Sequence, residues 1–204
     1  MSFVTRHKAP DKRATYVAAD NGMEFKLTEG AVQIAVALAF LADPESCGCA
    51  EIYPDGEHAK RFPIRQFLIE RGFRHTEMLG TKEYGGVYVQ GDTRLTVNPK
   101  AMHGRGDVVS AIGGVTIRAE CKGGTINSKH SGVQSRLRSG FAELIGQAMA
   151  MEENGDRHVI AMPLTDLTEK QADRLSARCR KAGIEIVLVR RDGSLLWVSS
   201  NIAM

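Results

Sequence analysis

Apolar and polar positions alternate along the chain with two different periods, one typical of helices and one typical of strands. Residues 133–154 carry apolar side chains at three- and four-residue steps, which predicts a long amphipathic helix. Three further helices are expected, at about residues 28–41, 58–71 and 168–182. Thr28 is the expected N-cap of the first of these, and Gly72 and Gly183 follow the other two in the usual position for a glycine at a helix end.

Strand-like alternation dominates the centre and the C-terminal third of the sequence. Two hairpins are predicted, one turning at Gly91-Asp92 and one with Gly113-Gly114 at its tip. Shorter strands are expected in the runs AEIY, HVIAMPL, IEIVLVR and SLLWV. Near the N-terminus, the run ATYVAADNGMEFKL predicts another hairpin around Asn21-Gly22, because Asn-Gly is a strong turn signal.

Antiparallel hairpins followed by strand, helix, strand, helix and strand imply a mixed central β-sheet flanked by helices. We therefore expect an α/β domain over residues 28–204, with residues 1–27 as a basic N-terminal arm containing a β-hairpin. A length of 204 residues with 43% apolar residues fits a globular domain with a sizeable core.

Composition narrows the class of protein further. The richest apolar run, residues 31–41, is well short of the roughly 20 residues that a membrane span needs, so no membrane association is expected. The first residues lack the apolar stretch of a signal peptide, which indicates a cytoplasmic protein. Cys47 and Cys49 have no second ligand pair at zinc-site spacing, so we expect two loop cysteines rather than a zinc site.

Positive charge is concentrated in two places although the net charge is only +3. Residues 102–138 contain six Lys or Arg residues against Asp107 and Glu120, a local charge of +4. A second basic cluster lies in the arm, at Arg6, Lys8, Lys12 and Arg13. Such clusters suit contacts with phosphate, although solvated loops also carry them.

The strand over residues 115–122 has one apolar face and one charged face. Side chains of a strand alternate between its two faces, so Val115, Ile117, Ala119 and Cys121 are expected to face the core. Glu120 and Lys122 then share the opposite face, either solvated or as part of a site.

The partner strand favours a site. With Gly113-Gly114 at the hairpin tip, Asp107 falls near the level of Glu120 and Lys122. Two close carboxylates repel each other unless a cation lies between them. A small number of oxygen ligands, completed by water, suits Mg²⁺ or Mn²⁺.

The stretch GRGDVVSAIGGVTIRAECKGG, followed by a long helix, resembles the core of the PD-(D/E)XK nuclease superfamily, which has the restriction-endonuclease-like fold. The resemblance assigns Asp107 to the first acidic position, Glu120 to the second and Lys122 to the lysine. Gly106 stands where the name of the superfamily has proline. A literal Pro-Asp pair in YPDGEHAK, residues 53–60, is rejected because its charged residues are too close in sequence to lie on two strands.

What the resemblance implies is divalent-metal-dependent hydrolysis of phosphodiester bonds, with DNA as the expected substrate of an endonuclease. Asp107, Glu120 and the backbone carbonyl of Cys121 would bind Mg²⁺ or Mn²⁺, with Glu29 as a further candidate ligand. Lys122 would hold the attacking water, and Gln147, in the following helix, would orient water or contact the nucleic acid.

Nucleic-acid contacts are expected from the glycine-rich, basic loop and the helix start that follow the motif, at Lys129, His130, Arg136 and Arg138. A homodimer would allow both strands of a duplex to be cut. The alternative is a module of the same fold that binds nucleic acid without cleaving it.

Overall fold

A computed structural model describes residues 1–54, 61–100, 104–151 and 154–198 of the chain. The strands there are β1 (Val4–Lys8), β2 (Met23–Leu27), β3 (Ser46–Ile52), β4 (Arg74–Met78), β5 (Gly86–Gln90), β6 (Thr93–Val97), β7 (Val108–Ile112), β8 (Val115–Cys121), β9 (Gly124–Thr125), β10 (Arg157–Pro163), β11 (Ile184–Val189) and β12 (Leu195–Trp197). The α-helices are α1 (Asp11–Ala14), α2 (Glu29–Leu41), α3 (Ile64–Glu70), α4 (Ser131–Met149) and α5 (Asp166–Lys181). Within these ranges, no helix combines the length and the apolar character needed to cross a bilayer.

Nine strands form one mixed sheet, in the order β12-β11-β10-β8-β7-β3-β6-β5-β4. The hairpins β5–β6 and β7–β8 are antiparallel, as the alternation predicts. Strands β8, β10 and β11 run parallel to one another, joined through helices α4 and α5. The predicted mixed α/β architecture is confirmed.

Helices cover both faces of this sheet, and strand β10 shows how. Its residues Val159 and Ala161 join the main core cluster, which contains most of α2. Ile160 and Met162 point the other way, into a second cluster formed with α4 and α5. Because β10 is buried on both faces, its sequence is a continuous apolar run, as parallel strands usually are.

Two predicted helices differ at their ends. The helix expected over residues 58–71 begins at Ile64, directly after Pro63, and residues 58–60 lie outside the described residues. A proline disfavours helical backbone in the residue before it, which explains the late start. The helix expected to reach residue 154 ends at Met149, since Ala148 is its last buried residue.

The arm does not form the hairpin that Asn21-Gly22 predicts. The residues before that turn, Thr15–Asp20, form a 3₁₀ helix, and β2 pairs instead with the distant strand β1. Asn21 and Gly22 have left-handed backbone, at φ 53° and φ 72°, and end this helix. The same left-handed turn chemistry serves helix ends and hairpins, so the local signal did not distinguish them.

A second, three-stranded sheet joins the arm to the rest of the chain. Strand β2 lies between β1 and the short strand β9, which follows the predicted motif. Phe3 and Leu27 from the arm are both buried in the main core cluster. The arm therefore packs against the end of the large sheet where the motif lies.

Candidate functional site

The pairing of β7 with β8 brings Asp107 beside Glu120. Val108 lies opposite Ala119, and Asp107 directly precedes β7, close enough to Glu120 for the charge of Glu120 to act on it. The backbone N–H of Asp107 donates to the carbonyl of Ala119 at 2.9 Å. The side chain of Asp107 then accepts a 2.8 Å hydrogen bond from the backbone N–H of Cys121. Asp107 and Glu120 therefore lie near each other at the base of the β7–β8 hairpin.

The two faces of β8 are also largely as predicted. Ile117, Ala119 and Cys121 are buried, whereas Val115, at the hairpin tip, is 39% exposed. Glu120 is half-buried on the opposite face, which is the face that α4 covers. The carboxylate of Glu120 is therefore only partly removed from water.

Helix α2 contributes a third carboxylate from the other side of the sheet. Thr28 is its N-cap, as predicted, because its hydroxyl accepts a hydrogen bond from the N–H of Ala31 at 3.3 Å. Glu29 is the first helical residue, and its Oε2 lies 4.0 Å from Nζ of Lys122. Glu29 therefore lies at the same end of the sheet as the motif.

Gly123 is what lets the start of α2 come this close. A Cβ atom on Gly123 would lie 2.4 Å from the backbone nitrogen of Glu29 and 2.7 Å from the carbonyl oxygen of Leu27. No side chain fits at such distances from backbone atoms. The glycine after Lys122 is thus required by packing between β8 and α2.

Burial and mutual repulsion disfavour the ionised forms of the carboxylates. Burial, together with the charge of Glu120, raises the pKa of Asp107 to about 7, against the opposing effect of the Cys121 hydrogen bond. Burial also raises the pKa of Glu120, and the charge of Glu29 adds to this while Lys122 counteracts it. Strongly perturbed acidic groups of this kind cluster at functional sites.

Lys122 is held by a residue that the sequence reasoning missed. Its Nζ lies 3.0 Å from Oε1 of Glu143, on helix α4. Burial lowers the pKa of Lys122, but the hydrogen bond to Glu143 and the charge of Glu29 outweigh it, so this pKa lies above its ordinary value. Lys122 is thus a fixed cation between acidic groups from two helices.

Gln147 does not join this cluster. Its side chain is exposed, and among the described residues it has no hydrogen bond to any member of the cluster. Glu143 lies four residues earlier, on the same face of α4, and reaches Lys122 instead. The helical spacing alone could have suggested Glu143, since residues four apart share a face.

The donor set fits a hard divalent cation. Carboxylate oxygens from Asp107 and Glu120 are the ligands such ions prefer, and Mg²⁺ needs only one or two of them because it retains several waters. The N–H and the carbonyl of a strand residue point to the same side, so the Cys121 carbonyl faces the side of Asp107. No group of three or more His, Cys, Asp or Glu side chains in the described ranges is already gathered as a metal site. The chemistry and charge of these oxygen ligands therefore suit a divalent cation, and water would complete its coordination.

A cleft of about 850 Å³ lies beside the start of α2. Glu29 and Gly123 line it, which connects it to the motif, whereas Asp107, Glu120 and Lys122 are not among its lining residues. Four of its other lining residues are basic: His7, Lys26, Arg61 and Arg136. Three are buried and apolar: Leu27, Val133 and Leu137. The cleft is thus a basic groove that is closed from below by core residues and reaches Glu29.

Of the four residues predicted to contact nucleic acid, Arg136 lines this cleft. Lys129 and Arg138 are exposed elsewhere and are not among the residues lining it. His130 is the N-cap of α4: its Nδ1 accepts a hydrogen bond from the N–H of Gly132 at 3.1 Å. Its ring also packs edge-on against Tyr16 at 5.0 Å, which gives it a structural contact in the arm.

The arm supplies cleft residues that the sequence did not single out. His7 and Lys26 come from the paired strands β1 and β2. Two predicted basic residues of the arm are used for packing instead: Arg6 lies over the ring of Phe25, and Arg13 pairs with the buried Glu24. The arm therefore contributes to the cleft through His7 and Lys26, and not through the basic cluster that the sequence singled out.

Comparisons with models of known protein families, with curated proteins and with solved structures find no match.

Proposed function

We propose that this chain is a divalent-metal-dependent phosphodiesterase that hydrolyses DNA. The observation that carries the proposal is the convergence of Asp107 and Glu120 from two adjacent strands in partly buried surroundings. Burial, together with the charge of Glu120, raises the pKa of Asp107 to about 7, and a cation bound between the two carboxylates would relieve their repulsion. The basic cleft alongside offers a path for a polyanionic substrate.

Asp107, Glu120 and the backbone carbonyl of Cys121 would hold Mg²⁺ or Mn²⁺, with Glu29 as a further carboxylate at the same end of the sheet. When bound, such an ion supplies Lewis-acid activation of the phosphate and lowers the pKa of a bound water. Lys122 offsets the charge of the scissile phosphate and orients the attacking water. Glu143 positions Lys122 for this role through their 3.0 Å ion pair.

The resemblance to the PD-(D/E)XK superfamily supports the same proposal. An acidic residue before one hairpin strand, Glu-x-Lys on the next and a helix after them occur here on a mixed sheet with helices on both faces. The chain departs from the superfamily's name at Gly106, whose φ of +81° a proline cannot adopt. This departure changes the approach of the chain to Asp107 without removing a ligand.

Cleavage of labelled plasmid and oligonucleotide DNA in Mg²⁺, in Mn²⁺ and in EDTA tests the proposal. The wild type should cut with either ion and not in EDTA. Asp107→Asn, Glu120→Gln and Lys122→Met should each abolish cutting while circular dichroism stays unchanged. Asp173→Asn, on the exposed surface of α5, is the matched carboxylate control and should cut normally. Full cleavage by Lys122→Met would refute the assignment.

The alternative function is binding of nucleic acid without hydrolysis. The basic cleft favours it, because its cations suffice for binding of a polyanion. DNA affinity that falls steeply with salt, with no turnover in either metal, would identify a binding module.

A further inference from the structure

We infer that the basic cleft binds a single polynucleotide strand, with phosphates on Lys26, Arg61 and Arg136. The identity of the ligand rests on the proposed function, whereas the character of the cleft does not. The inference specifies a substrate class: single-stranded DNA, or an unpaired segment of a duplex.

The charges of the cleft are available to a ligand. Lys26 lies on β2, Arg61 shortly before α3 and Arg136 on α4, so the three cations converge from separate elements. Among the described residues, no carboxylate forms an ion pair with any of them. Cations elsewhere in the chain behave differently: Arg13 and Arg157, for example, are both paired with glutamates. Unpaired cations gathered in a concave site suit an anionic ligand.

The lining of the cleft argues for an unpaired strand. Leu27, Val133 and Leu137 line the same space as the cations but are at most 4% exposed, so they close the cleft from below and leave the charged side chains to contact a ligand. The backbone of a single strand is flexible enough to follow cations that converge from separate elements.

The size of the cleft points the same way. Its volume of about 850 Å³ is at the upper end of the range for pockets that enclose small ligands, about 300–1,000 Å³. A few nucleotides of one strand fit such a space, and a duplex does not enter it. Since Glu29 and Gly123 lie in its lining, a strand in the cleft would lead to Asp107 and Glu120.

Fluorescence anisotropy tests the inference without catalysis. Labelled oligothymidylate and a labelled hairpin duplex of the same length are titrated with the full-length protein in EDTA, at several salt concentrations. We expect the single strand to bind more tightly. Lys26→Gln and Arg136→Gln should each weaken its binding about fivefold, and the double variant about 25-fold if the contacts are independent. Each substitution should also lower the salt slope by about 0.7.

Arg174→Gln is the charge-matched control, since Arg174 is exposed on α5 and does not line the cleft. It should leave the affinity and the slope unchanged.

Equal or tighter binding of the duplex, or unchanged affinity of the Lys26→Gln and Arg136→Gln variants, would overturn the inference. The Mg²⁺ cleavage assay tests the proposed hydrolysis separately. If the wild type binds the single strand as described but never cuts it, the inference about the cleft stands and the proposed hydrolysis is refuted.

Discussion

The Oδ2 atom of Asp107 accepts a hydrogen bond of 2.8 Å from the backbone N–H of Cys121. Asp107 directly precedes β7, so this side-chain hydrogen bond extends the pairing of β7 with β8 beyond the end of the strand. It fixes the carboxylate next to Glu120, whose charge disfavours ionisation of Asp107. Strand β8 therefore holds the side chain of Asp107 in place, while burial and the charge of Glu120 disfavour its ionised form.

Substitution of Asp107 by Asn is expected to change how stability depends on pH. The folded-state pKa of about 7 exceeds the ordinary 3.8, so the folded protein retains a proton that the unfolded chain releases between these values. The wild-type free energy of unfolding therefore falls as pH rises from about 4 to about 7, by an amount on the order of a few kcal/mol. Asp107→Asn should remove this fall and be more stable than wild type at pH 8.

Urea unfolding at pH 5 and at pH 8 measures this effect, with Asp173→Asn as the exposed control. If Mg²⁺ binds between the carboxylates, it should raise wild-type stability at pH 8 and leave Asp107→Asn unaffected. A wild type with equal stability at both pH values would contradict the raised pKa.

The β7–β8 hairpin was predictable from the sequence because its determinants are local. Gly113 and Gly114 both have left-handed backbone at the tip, and strict alternation on each side sets the register. A register set this way also brings Asp107 near Glu120. The core of the candidate site was therefore within reach of sequence reasoning.

The cleft was not predictable in the same way, because it depends on long-range pairing. Strand β2 pairs with β1 across a helical segment and with the two-residue strand β9, about 100 positions away. Neither partner shows a strong strand pattern of its own. The choice between Glu143 and Gln147 likewise depends on how α4 rotates over Lys122, which the sequence pattern leaves open.

Gly123→Ala is expected to destabilise the protein and displace Glu29. The added Cβ would overlap backbone atoms of Glu29 and Leu27, which cannot move as a flexible side chain can. A loss of about 3 kcal/mol is expected in urea unfolding. The matched control is Gly146→Ala, in α4, where a Cβ meets no atom within 4 Å. It should stabilise by about 0.5–1 kcal/mol, because alanine favours helix more than glycine does. Equal effects of the two substitutions would show that the contact with α2 is not tight.

Glu143→Gln and Gln147→Ala separate the observed helix contact from the predicted one. Removing the charge of Glu143 should lower the pKa of Lys122, since the ion pair helps to raise it. Gln147→Ala should leave this pKa unchanged. NMR titration of the lysine ammonium groups, assigned with Lys122→Met, measures both.

Under the proposed function, the same pair should differ in DNA cleavage. Glu143→Gln should slow cutting by about tenfold, the lower end for residues that position a group at a metal site. Gln147→Ala should cut at nearly the wild-type rate. A larger loss in Gln147→Ala than in Glu143→Gln would restore the role first expected for Gln147.

Asn127 is expected to be the residue that holds the arm against the loop after the motif. Its Oδ1 accepts from the N–H of Phe25 at 2.9 Å, and its Nδ2 donates to Oδ2 of Asp20 at 2.7 Å and to the carbonyl of Met23 at 2.8 Å. Asn127→Ala leaves these groups without their partner and should cost about 2–3 kcal/mol. The local control is Asn154→Ala, since the side chain of Asn154 accepts a hydrogen bond from the N–H of Asp156, two residues away.

Hydrogen exchange distinguishes a loosened arm from a general loss of stability. In Asn127→Ala the amide of Phe25 should exchange faster, together with the β1–β2 amides, while amides of β10 and β11 keep most of their protection. Lys26 lies on β2 and lines the cleft, so single-strand affinity should fall with the order of the arm. Uniform acceleration across both sheets would instead mean that Asn127 supports the whole fold, and unchanged exchange at Phe25 would mean that pairing of β2 with β1 and β9 holds the arm without it.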